Sequence, residues 1–202
     1  MVVWDGHGTG GLLPELMDPR ARYMPGRTPV RERLAAGVSA LYFVGQHARA
    51  GTPGAPLGHT YSSRTVAEYR LNGRSVGEFG CLAALAGELG VPTVFIGGDD
   101  RAVAEARELI PDIVGVATKI GRGVESAEHL THAESCARLQ LGAAEATRRV
   151  ASIPPHRLPA PYTLRIKVLT GQGIEGHVAR GAERVAERVA LYRAERVWDL
   201  PV

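Results

Sequence analysis

The sequence predicts an α/β fold: a largely parallel sheet flanked by helices, with a small C-terminal strand-containing extension. Three observations carry this. Short apolar runs recur at residues 38–45, 91–96 and 113–118. Stretches with helical spacing and capping residues separate or follow them. A 202-residue chain with 45% hydrophobic and 22% charged residues can also bury one sizeable core. The order β, α, β, α, β is that of strands laid parallel with helices over the sheet.

Taken in order, Val2-Val3-Trp4 is a short apolar run entering the glycine-rich segment 6–11. The spacing Gly6-His7-Gly8-Thr9-Gly10-Gly11 matches a dinucleotide fingerprint, but Pro14, Pro19, Pro25 and Pro29 exclude the long helix that would hold a pyrophosphate. The glycines instead let the backbone bend around His7. Residues 38–45 read as a buried strand, and 51–58, with Pro53 and Pro56, as a loop leading to His59. Residues 69–71 pair with a neighbouring segment. A helix over 76–89 is followed by Gly90, placed to end it, and by a second buried strand at 91–96. Gly97-Gly98-Asp99-Asp100 turns the chain and caps a helix running to about Ile110. A third strand covers 113–118, and a long helix covers roughly 133–152.

The prolines of 154–161 read as a linker to a last strand at 162–169, whose alternation Leu164, Ile166, Val168 suits a half-buried sheet edge. Beyond it, Val185, Val189, Tyr192 and Val197 favour an amphipathic helix within 178–198, with a strand over 188–192 as the alternative. The chain thus divides into an α/β core at 1–152 and a linker with C-terminal extension at 153–202.

Charge argues against nucleic acid as the main partner: 24 basic residues stand against 21 acidic ones, and no run of arginine or lysine stands out. Lys119 and Lys167 are the only lysines. No apolar run approaches the ~18 residues of a membrane span, and the N-terminus does not resemble a signal peptide, so a cytoplasmic protein without membrane contact is expected. Cys81 and Cys136 lie far apart in helical, alanine-rich stretches and are expected to be buried, structural thiols of a reducing compartment.

The chemistry concentrates in four residues: His7, His47, His59 and Glu78. Each lies near glycine, three of them where an apolar strand ends, which is where α/β proteins place reactive groups. Imidazole and carboxylate are the usual zinc ligands outside thiolate sites. The alternative for Glu78 alone is a helix-start carboxylate favoured by the helix dipole. His129, His132, His156 and His177 read as hydrogen-bonded structural residues.

The ordered segments Asp5-Gly6-His7-Gly8, Phe43-Val44-Gly45-Gln46-His47-Ala48-Arg49-Ala50-Gly51, Gly58-His59-Thr60-Tyr61-Ser62, Asn72-Gly73-Arg74-Ser75-Val76-Gly77-Glu78-Phe79-Gly80 and Gly98-Asp99-Asp100 resemble the zinc-dependent D-aminopeptidases of peptidase family M55, associated with dipeptide-transport operons. The resemblance runs from Val2 to about Leu139. It implies a two-zinc hydrolase that releases N-terminal D-amino acids from short peptides and assembles into homo-oligomers. It implies that His7, His47 and Glu78 are zinc ligands and that His59 is the catalytic histidine. Lys119 and Arg122 match a basic pair facing substrate or site; a solvated strand end is the alternative.

Family members open with a strand ending in Asp-x-Glu-Gly whose carboxylates also bind zinc. This chain begins after that motif and contains no other Asp-x-Glu. Against the family the core at 1–152 is therefore N-terminally truncated, with one zinc or none expected on the remaining ligands. Two expectations follow: a D-aminopeptidase, impaired by missing metal ligands, or a non-catalytic, oligomer-forming remnant.

Overall fold

The computed structural model of the chain describes residues 1–6, 11–26 and 30–202, which form two compact units, residues 1–38 and 39–202. In the first unit β1 (Val2–Asp5) lies parallel to β2 (Arg22–Pro25), Val2 opposite Arg22 and Asp5 opposite Pro25, and α1 (Val30–Ala35) follows. The indole of Trp4 donates to the Gly26 carbonyl at 2.8 Å. The Asp5 carboxylate is buried and accepts from the Gly11 N–H and the Tyr23 hydroxyl.

The second unit contains the remaining elements: β3 (Leu41–Gln46), β4 (Val66–Leu71), β5 (Arg74–Val76), α2 (Glu78–Glu88), β6 (Thr93–Asp99), α3 (Asp100–Leu109), β7 (Val114–Gly123), β8 (Ser126–His129), α4 (His132–Arg148), β9 (Tyr162–Val168), α5 (Ile174–Val178), β10 (Glu183–Ala186) and β11 (Val189–Ala194). They build two sheets, so the α/β class holds and the strands divide between parallel and antiparallel. One sheet has the order β3-β6-β7-β8, with β3, β6 and β7 parallel and β8 antiparallel at the edge. The other, β10-β11-β9-β4-β5, is antiparallel throughout.

Every residue of β6 is buried, as a central strand covered on both faces requires. Tyr42 and Phe95 pack under α4, where the Tyr42 hydroxyl meets Thr147 at 3.0 Å. On the opposite face Phe43 packs on Phe79 of α2, ring centroids 4.8 Å apart. Helix α2 touches β3 and β6 of one sheet and β5 of the other, and most of its residues are buried. Its two glycines, Gly80 and Gly87, cost about 1 kcal/mol each in helix propensity. Burying Phe79 and Leu85 offsets this at about 1.5–3 kcal/mol apiece, so packing decides the helix. Helix α3 starts where Asp99 caps it, the carboxylate accepting from the Arg101 and Ala102 N–H groups at 2.9 Å.

Three expectations are corrected. Strand β9 is not a sheet edge: it lies between β11 and β4, with Tyr162, Leu164, Ile166 and Val168 buried on one face. Alternation reports a half-buried face and is silent on whether a strand has one neighbour or two. The stretch 178–198 is not a helix; apart from the end of α5 it forms the hairpin β10–β11, because β9 offers β11 a complete pairing edge from Lys167 to Tyr162. Cys136 is exposed on α4, whereas Cys81 is buried in α2, and both are free thiols. Among the described residues no helix is long and apolar enough to cross a membrane.

Tyr192 of β11 packs edge-on against His177 of α5, with Nδ1 3.1 Å from the hydroxyl. Burial, reinforced by Arg180, holds the His177 imidazole below its usual pKa. The fold therefore favours the neutral ring. That contribution is fully present above the unfolded-state value of about 6.5 and is lost as pH falls through the folded value. Urea-unfolding midpoints are expected to fall between about pH 7 and pH 5, and His177→Gln is expected to remove that part of the slope.

Candidate metal centre

The site forms within the second unit, where β3 ends. His47 follows Gln46, the last residue of the strand, and its ring is nearly buried, with 8% of the side chain exposed. Its Nδ1 lies 3.1 Å from the Ala48 carbonyl oxygen. His59 sits in a loop between Leu57 and Tyr61, both non-glycine residues in the left-handed region (φ 54° and 58°). Its Nδ1 lies 2.6 Å from the Leu57 carbonyl oxygen. Carbonyl oxygens only accept, so in both rings Nδ1 carries the proton and the neutral ring presents the lone pair on Nε2.

Both Nε2 atoms face Glu78, the first residue of α2, at 3.7 Å from His47 and 3.8 Å from His59 to the same Oε1. That oxygen also accepts from the Tyr61 N–H at 2.7 Å. The two rings stack with centroids 4.0 Å apart and planes 21° from parallel. One ligand atom from each of His47, His59 and Glu78 lies within 4.8 Å of the other two. Among the described residues this is the one group of three or more metal-ligating side chains.

Behind this group is a support that the sequence reading did not single out. Glu105 on α3, only 4% exposed, accepts from the Arg49 N–H at 2.8 Å and the Gly77 N–H at 2.9 Å, with the Arg49 guanidinium 3.6 Å away. Burial raises the Glu105 pKa, while these donors and the Arg49 charge oppose the rise. The available signal was a glutamate three residues after Ala102 and four before Leu109, on the buried face of α3. Thr60, fully buried, accepts from the Ala50 N–H at 3.1 Å and fastens the His59 loop to the segment after β3.

The other sequence-selected residues are placed differently. His7 lies outside the described residues. Lys119 stands at the same end of the sheet as His47: Gln46 pairs with Gly98 and Lys119 with Asp99. Arg122, further along β7, pairs with Glu128 at 2.7 Å, both exposed. His132 contacts Cys136 at 3.6 Å on α4, and His156 and His177 are held below their usual pKa, first by burial.

The residues present fit zinc. Imidazole and carboxylate are both zinc donors, and His47 and Glu78 supply one of each beside the His59 ring. The Nδ1 of His47 is engaged by a carbonyl, as ligating histidines commonly are. The 3.7 Å between His47 Nε2 and Glu78 Oε1 is slightly wider than the roughly 3.3 Å edge of a tetrahedron with zinc–ligand distances near 2 Å.

The D-aminopeptidase of Bacillus subtilis (strain 168) is 37% identical over 123 residues, 59% of this chain and 44% of that protein, so the chain spans less than half the length of the curated relative it matches. The structure described as Zn-dependent D-aminopeptidase DppA from Bacillus subtilis, a self-compartmentalizing protease, superimposes with a TM-score of 0.84 at 27% identity, covering 93% of this chain and 69% of that one. The model of peptidase family M55, D-aminopeptidase, matches residues 1–201, and the chain belongs to that family.

Proposed function

We propose that this protein is a zinc-dependent aminopeptidase that removes N-terminal D-amino acids from short peptides, with His47 and Glu78 as zinc ligands and His59 as the catalytic histidine. The observation that carries the reading is that His47 and Glu78, drawn from separate segments, bring ligand atoms to one space while the His59 ring, from a third, faces the same Glu78 oxygen. The zinc-dependent DppA neighbour and the family supply the reaction class. His7, carried over from the family resemblance, is proposed as a further ligand.

Bound zinc would supply Lewis acidity toward the scissile carbonyl and bring the pKa of water toward neutrality. The chain's own residues account for positioning and proton movement. His59 is the more exposed of the two rings, with 23% of its side chain accessible against 8% for His47, which suits a group that meets substrate. With Nδ1–H held by the Leu57 carbonyl, Nε2 is the atom that attacks the carbonyl carbon or takes a proton. On the proton-transfer route Nε2 takes a proton from the attacking water, Glu78, 3.8 Å away, stabilises the resulting imidazolium, and Nε2 passes that proton to the departing amine as the peptide C–N bond breaks. On the attack route the amine leaves with a proton from water and a second water hydrolyses the acyl-imidazole. Lys119, at the same end of the sheet, is proposed to meet the peptide's C-terminal side; Arg122 would have to leave Glu128 to join it. Self-association into a homo-oligomer in the cytoplasm is proposed with the activity, and the self-compartmentalizing description of DppA supports the assembly.

The test is release of the N-terminal residue from D-Ala- and L-Ala-initiated dipeptides by zinc-loaded and chelator-treated protein. Zinc-dependent release from the D-peptide is expected. A zinc-loaded protein that cleaves neither peptide would instead be the non-catalytic remnant.

A further inference from the structure

We propose that Glu105 is a positioning residue of the metal centre, a clip whose two carboxylate oxygens each hold one of the backbone segments that carry a ligand. This rests on the reading of His47 and Glu78 as zinc ligands. Oε2 accepts from the N–H of Arg49, two residues beyond His47, and Oε1 from the N–H of Gly77, the residue before Glu78. The two segments belong to different parts of the chain, one leaving β3 and the other entering α2, and Glu105 reaches both from a third element, α3.

The local packing fits this role. A Cβ added at Gly77 would stand 2.9 Å from Glu105 Oε1 and 3.1 Å from Arg49 Cα, so glycine is what lets the two backbones meet over the carboxylate. A carboxylate also offers two acceptor oxygens and no donor, so each N–H meets its own oxygen. An amide would turn its NH₂ toward one of them, and a shorter carboxylate would not reach both. A buried carboxylate is costly, and Arg49, 3.6 Å away, offsets part of that cost. Glu108 also lies 3.7 Å from the Arg49 guanidinium but accepts from neither backbone N–H; it is exposed and provides a charge-only comparison.

The experiment measures zinc affinity by chelator competition, and the visible absorption of the cobalt-substituted protein, for the full chain and for Glu105→Gln, Glu108→Gln and Gly77→Ala. Far-UV circular dichroism identifies the variants that fold. Glu105→Gln is expected to weaken zinc binding by about 10- to 100-fold, in the range of lost supporting partners of a ligand shell, and to alter the cobalt spectrum. Glu108→Gln is expected to leave both unchanged. Gly77→Ala keeps the Glu105 carboxylate but crowds it and the Arg49 backbone at the same junction, and is expected to shift both readouts in the direction of Glu105→Gln. It serves as the test if Glu105→Gln does not fold. A folded Glu105→Gln, or in its place a folded Gly77→Ala, that retains wild-type zinc affinity and cobalt spectrum overturns the assignment, because a merely structural role would change thermal stability alone. An unaltered chain that takes up no zinc overturns the metal reading itself, which separates the two failures.

Discussion

His47→Ala is expected to lose zinc and His59→Ala to keep it, although the two rings stack on each other and face the same carboxylate oxygen. His47 is fastened directly after β3, its ring nearly buried and its Nδ1 committed to the Ala48 carbonyl, so its Nε2 has one direction in which to act. Removing it should lower zinc affinity by more than the ~100-fold that a lost supporting partner costs, and turnover with it. His59 stands on the solvent side of the pair, in a loop with two strained non-glycine residues, a setting common at reactive positions. Removing it should leave zinc stoichiometry intact and lower kcat/KM by about 10³-fold, within the range for loss of a proton-transferring group. Equilibrium dialysis beside peptide-release kinetics separates the roles. Equal loss of zinc in both variants would make His59 a ligand and leave the catalytic group to be found elsewhere.

The second large effect is expected at Gly98, which no ligand touches. Gly98 pairs with Gln46 where β3 and β6 end, and a Cβ there would overlap the Gln46 carbonyl oxygen. That neighbour is backbone of a strand paired with β6, so it cannot swing aside as a side chain would. Gly98→Ala should therefore fall at the upper end of the overpacking range, about 3 kcal/mol of stability. Because Gln46 leads directly into His47, and its side-chain amide donates to the His47 carbonyl at 3.0 Å, any fold that survives should hold His47 out of line with Glu78. Urea unfolding combined with zinc titration checks both parts. A variant as stable as the parent, with unchanged zinc binding, would show that the strands do not meet here in the observed register.

A strand whose whole length is buried was legible because a sustained apolar run between turn residues has few other uses, as at β6. Strand β3 lies where its apolar run predicts a strand, but Val44 and Gly45 are exposed, so the expected burial holds only in part. Asp99 as the cap of α3 was legible because its hydrogen bonds reach only two and three residues ahead. The hairpin β10–β11 was not, since Val185, Val189 and Tyr192 are spaced as a helix would have them, and the pairing edge that overrides this lies on β9. Glu105 was missed for a similar reason: its partners, Arg49 and Gly77, are 56 and 28 residues away.

By itself the sequence determined the α/β class, the turn and capping chemistry, and the residue types of the site: imidazoles and a carboxylate near glycines at the ends of buried runs. Those properties depend on neighbours a few residues away or on a periodicity of one face. Tertiary structure decided that β9 is central, that the strands divide between one mostly parallel and one fully antiparallel sheet, and that His47, His59 and Glu78 share one space. These depend on which distant segments pay the entropy of meeting, and a local pattern carries no record of its distant partner.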